Sequence, residues 1–100
     1  MFVVLQTVTF PTVTGYGPQT DSVTVHMPGP VSQAAAILTG FDVEYSHGDD
    51  HHLGRLDVEL TVDAINGADV EVTAKYGLRD WSDNWDDGYD GTVSFAVIGE

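Results

Sequence analysis

The sequence predicts an all-β fold, an antiparallel sandwich of about six strands, and three observations carry that expectation. Fourteen Val and ten Thr, Asp as the dominant charged residue and a single Lys favour strands and turns over helices. From Arg55 to Leu78 apolar and polar residues alternate strictly about one turn signal. Elsewhere short apolar runs are separated by Gly, Pro and Asp clusters, with no long helical period. A jelly-roll and a small barrel are the alternative closures of the same strands. One hundred residues, 42% of them hydrophobic, make a single domain spanning 1–100.

The segments follow in order. Phe2 to Phe10 reads as the first strand, and Gly15-Tyr16-Gly17-Pro18 as a turn. Ser22 to Met27 is the second strand, with Val23, Val25 and Met27 on one face, and Pro28-Gly29-Pro30 ends it. Val31 to Ser46 admits two readings. Gln33 to Leu38 followed by Gly40 is compatible with a short helix, whereas the alternation of Phe41, Val43 and Tyr45 against Asp42 and Glu44 is a strand. Strand is the preferred reading throughout, with Gly40 as a bulge that switches phase between the halves.

Leu56, Val58, Leu60, Val62 and Ala64 alternate with Asp57, Glu59, Thr61 and Asp63, then Val70, Val72, Ala74, Tyr76 and Leu78 with Glu71, Thr73 and Lys75. This is a hairpin with one buried face. Opposed residues must share a face, so a two-residue Asn66-Gly67 loop fails: it would set Val62 against Glu71. A three-residue loop, Ile65-Asn66-Gly67 with Gly67 left-handed, repairs the register. It pairs Val62 with Val70, Leu60 with Val72 and Asp57 with Lys75, at the expense of Asp63 facing Asp69. Thr92 to Ile98 is the last strand, placing Val93, Phe95 and Val97 together.

Charge narrows the partners. Sixteen Asp and Glu against three Lys and Arg give −13 at pH 7, which repels nucleic-acid phosphates and anionic membrane surfaces and favours cations. No apolar run approaches the ~20 residues of a spanning helix, and Met1 to Gln6 carries no readable signal peptide, so a soluble chain of unknown compartment is expected. Without cysteine there is neither disulfide nor thiol chemistry. No nucleophile elbow or phosphate-binding Gly-rich loop is present, and a non-enzyme is the expectation.

Asp80-Trp81-Ser82-Asp83-Asn84-Trp85-Asp86-Asp87-Gly88-Tyr89-Asp90 holds five carboxylates in eleven residues. A hard cation would relieve their repulsion, and Ca²⁺ accepts flexible carboxylate and carbonyl ligands more readily than Mg²⁺. The candidate ligands are Asp80, Asp83, Asn84, Asp86, Asp87 and Asp90. The loop is no EF-hand, because no Glu closes it, and a solvated Asp-rich turn is the competing reading. Trp81, Trp85 and Tyr89 recur at four-residue intervals in the same loop. They form either a stacking surface for a sugar or protein partner or a cap on one end of the core. Asp49, Asp50, His51 and His52 form a second polar cluster with the donor types of a transition-metal site, although adjacent His side chains of an extended chain diverge. Its other reading is a histidine whose pKa an acidic neighbour raises.

Gly40-Phe41-x-Val43-x-Tyr45 and Asp50-His51-His52-Leu53, followed by Leu78-Arg79-Asp80-x-Ser82-x-Asn84-x-Asp86-Asp87-x-Tyr89-x-Gly91, resemble a set of small bacterial proteins of uncharacterised function. More distantly, the size, the Gly-Phe strand and the sandwich pattern resemble H-type lectins. That resemblance implies a six-stranded, homo-oligomeric sandwich that binds carbohydrate at a subunit edge, with no sugar-binding residue aligned to this chain.

The expectation is therefore a non-enzymatic, calcium-dependent module that recognises a glycan or protein through the 80–90 loop. The alternative is a structural subunit of a homo-oligomeric assembly such as a phage particle. A lysine-poor acidic surface also suits a high-salt habitat, in which case the carboxylates mark no site.

Overall fold

The computed structural model describes residues 1–46 and 52–100. Six strands run as β1 (Phe2–Val13), β2 (Gln19–His26), β3 (Ala34–Tyr45), β4 (Leu53–Asn66), β5 (Asp69–Asp80) and β6 (Tyr89–Gly99). They form two three-stranded antiparallel sheets, β1-β6-β3 and β2-β5-β4. Of the sequential pairs only β4 and β5 are sheet neighbours, so every other connection crosses between the sheets. The result is a narrow β-sandwich, 46 × 18 × 18 Å.

Because every pairing is antiparallel and the chain reverses at each connection, the loops sort to two ends. One end carries the turn after β1, the end of β3, the start of β4 and the segment between β5 and β6. There the Ser46 amide donates to the Gly88 carbonyl at 2.8 Å. The other end carries the β4–β5 turn, the β2–β3 connection and both chain termini, joined by the Met27 and Val31 amides donating to the Ala68 and Gly67 carbonyls.

The central strands β5 and β6 supply the core, since each is covered by a neighbour on both edges and by the opposite sheet. Val70, Val72, Ala74, Tyr76, Tyr89, Val93, Phe95 and Val97 are fully buried, joined by Val8, Phe10 and Val25. Burying each large apolar side chain contributes about 1.5–3 kcal/mol. The aromatics pack edge to face, Phe10 on Tyr76 at 5.6 Å and Tyr76 on Tyr89 at 5.3 Å between centroids. Tyr76 satisfies its hydroxyl by donating to the Asp90 carbonyl at 2.6 Å.

The segment over Val31 to Ser46 is strand, not helix, from Ala34 onward. The phase switch falls where Gly40 suggested it. Register shifts between Leu38 and Gly40, so Ala34 and Ala36 face the core before the bulge and Val43 and Tyr45 after it.

The hairpin register departs from the sequence reading. The turn is Gly67-Ala68, with only Gly67 at positive φ (62°), the pattern of a type II′ turn. Val62 pairs with Val72, Leu60 with Ala74 and Ile65 with Val70. A bulge between Val62 and Ala64 absorbs the odd residue, so the mixing of faces that excluded a two-residue loop is repaired within β4. Ile65 rather than Ala64 consequently packs on the core. Asp63, expected to face Asp69, instead accepts a hydrogen bond from Thr73 Oγ1, while Asp69 opposes Asn66 and bonds His26 Nδ1 at 2.6 Å. Lys75 does reach Asp57 (3.5 Å), but its directly opposed partner is Glu59, at 2.9 Å.

Candidate functional site

The acidic segment starts where β5 ends. Asp80 Oδ1 accepts hydrogen bonds from both the amide (2.9 Å) and the hydroxyl of Ser82, a local turn that pulls the chain away from the sheet. Asp83 follows in the left-handed region at φ 71°. Its carboxylate bonds Arg79 Nη1 at 2.8 Å, and the same guanidinium lies 5.7 Å from the Trp85 ring centroid. Arg79 thus ties the loop back to β5. Trp85 then leans on Tyr89, 5.9 Å between centroids, over the space that Gly77 leaves by lacking a side chain.

This folding separates the residues that the sequence grouped. Of the six candidate ligands, Asp80, Asp86 and Asp87 each bring a carboxylate oxygen within 4.8 Å of the others'. Two oxygens on one calcium at ~2.4 Å lie at most ~4.8 Å apart, so three carboxylates at this spacing match the shell of a single hard cation. Asp83 is engaged by Arg79, and Asn84 is exposed. Asp90 lies within β6, where Thr12 Oγ1 and Ser46 Oγ donate to its Oδ2 at 2.8 and 2.9 Å.

The three aromatics separate as well. Tyr89 is fully buried and Trp85 half-buried against the core, which is the capping role; Trp81 is 76% exposed. His52 meets Trp81 edge to face at 6.2 Å, and with the exposed Leu53 they line an open apolar surface beside Asp80. Asp49, Asp50 and His51 lie outside the described residues, so of the second polar cluster only His52 is placed, against an aromatic ring.

Two features escaped sequence reasoning. Arg79 organises the loop, and its signal was the four-residue spacing to Asp83. Glu44 stands directly opposite Asp90 across β3 and β6, in a shallow groove also lined by Thr9, Pro11, Thr12 and Asp42. A hydrogen bond to Asp90, repulsion from Asp90 and, more weakly, repulsion from Asp42 hold the Glu44 carboxyl above its ordinary range. The outward alternation of Asp42 and Glu44 was legible, but their meeting with Asp90 required the register.

No family model, curated protein or solved structure matches this chain. The reading of the site therefore rests on its own geometry. No helix among the described residues is long and apolar enough to cross a membrane.

Proposed function

We propose that the protein is a non-enzymatic binding module whose Asp80, Asp86 and Asp87 hold Ca²⁺ and whose Trp81, with His52 and Leu53, presents an apolar surface to a glycan or protein partner. The convergence of three carboxylates, Asp80 at the end of β5 and Asp86 and Asp87 further along the loop, carries this reading. Each of the three would supply oxygen to the ion, and carbonyls or water would complete a shell of six to eight. Neutralising the carboxylates also fixes the loop beside Trp81, which couples ion binding to ligand binding.

An exposed indole next to an ordered polar shell suits a pyranose, whose apolar face stacks on the ring while its hydroxyls meet the polar groups. A glycan is also the ligand that the lectin resemblance favours. Screening the protein on a glycan array with calcium, and again with chelator, tests the reading. Calcium-dependent binding that Trp81→Ala removes supports it, and binding indifferent to both contradicts it.

A second reading, a subunit of a homo-oligomeric assembly such as a phage particle, is favoured by one observation. The outer face of the β1-β6-β3 sheet is uncharged over most of its length, although the chain carries −13.

A further inference from the structure

The charged residues are distributed very unevenly between the two sheets. In β2, β4 and β5 they include Arg55, Asp57, Glu59, Asp63, Asp69, Glu71 and Lys75. In β1, β3 and β6 there are only three, Asp42, Glu44 and Asp90, all gathered at the acidic-loop end. Toward the other end the outward positions are Val3, Leu5 and Thr7 on β1, Ile98, Ala96 and Ser94 on β6, and Ala35 and Ile37 on β3. Leu5 is 73% exposed, Val3 57% and Ile37 48%.

We infer that this uncharged outer face of the β1-β6-β3 sheet is where a second copy of the chain docks, face to face. Two copies at −13 repel each other wherever carboxylates meet, and this stretch of the face carries no charged side chain within its strands, with Glu100 at its margin beside Ala35 and Ile98. It is also self-complementary, as an isologous two-fold contact requires, because apolar residues lie on both edge strands and the centre. Three strands ~4.8 Å apart and about eight residues of ~3.4 Å present roughly 400 Å². Two such faces bury on the order of 800 Å², the low end of specific interfaces, so the dimer is weak and reversible. The contact lies at the end of the sandwich away from Asp80, Asp86 and Asp87, so both acidic loops stay uncovered and a bivalent ligand gains avidity. The inference rests on the charge map and is independent of what the loop binds.

Sedimentation velocity across about 5 to 500 µM protein, at ~0.1 and ~1 M NaCl, tests it, since the screening length falls from ~10 to ~3 Å over that range. The expected result is a mass rising from 10.8 kDa toward twice that value with concentration, and rising more readily at high salt. Leu5→Glu, and separately Ile37→Glu on the opposite edge strand, should weaken association at least tenfold with the far-UV spectrum unchanged. Association that weakens with salt, or that survives both substitutions, overturns the inference. So does a chain that stays monomeric throughout, which would leave the face to a different protein. Calcium binding by Leu5→Glu should match the parent, which separates failure of this inference from failure of the loop reading.

Discussion

Arg79 holds Asp83 by an ion pair of 2.8 Å, and that contact sets the path of the loop between β5 and β6. With Asp83 drawn back and left-handed, the chain returns along Trp85 and delivers Asp86 and Asp87 beside Asp80. The acidic cluster is therefore built from the sheet outward. The Arg79 guanidinium serves both the hinge, through Asp83, and the Trp85 ring.

The two tryptophans should respond oppositely to truncation. Trp85 packs on the core and on Tyr89, so Trp85→Ala should cost about 3 kcal/mol, seen as a fall in denaturation midpoint. Trp81, 76% exposed, should cost under ~0.5 kcal/mol and affect only ligand binding. Equal losses in urea titrations would mean that the assignment of one ring to packing and the other to recognition is wrong.

Gly77 gives the Trp85 ring its seat. A methyl group there would meet Trp85 Cη2 at 2.7 Å and Pro18 Cβ at 2.9 Å. Gly77→Ala should destabilise by about 1–3 kcal/mol and blue- or red-shift the Trp85 emission as the ring moves. A stability and spectrum equal to the parent's would show that the ring sits elsewhere.

Glu44 and Asp90 make stability depend on pH. The folded-state pKa of Glu44 is raised above 4.5, chiefly by its hydrogen bond to Asp90. The folded chain thus holds a proton that the unfolded chain releases, and its contribution is fully present below the unfolded value and lost as pH rises through the folded one. Glu44→Gln keeps a neutral partner for Asp90, so thermal melts between pH 4 and 8 should show a smaller decline for the variant. Parallel curves would exclude the pair as a source of the decline.

Much of the fold was legible because its signals are local. The alternation of Val70 to Leu78 and of Val93 to Val97 follows from one buried face, and Gly40 marked the β3 bulge in a stretch that otherwise resembled a helix. The hairpin register was not legible, since a bulge at Asp63 is energetically supported by Thr73 on the neighbouring strand, which only the pairing brings near. The site was legible as a composition but not as a geometry. Six carboxylate or carboxamide side chains lie within eleven residues, yet Arg79, Thr12 and Ser46 decide which of them converge, and two of these come from distant segments.

The central claim, that Asp80, Asp86 and Asp87 hold calcium, is tested most directly by thermal unfolding of chelator-treated protein at fixed ionic strength, with and without millimolar Ca²⁺, Mg²⁺ or Zn²⁺. At 100 times its dissociation constant a native-state ligand adds about 2.7 kcal/mol, a rise on the order of 10 °C or more for a domain of this size. The account predicts a calcium-selective rise that the double substitution Asp86→Ala with Asp87→Ala abolishes; equal small rises for all three ions, unchanged in the double variant, would contradict it.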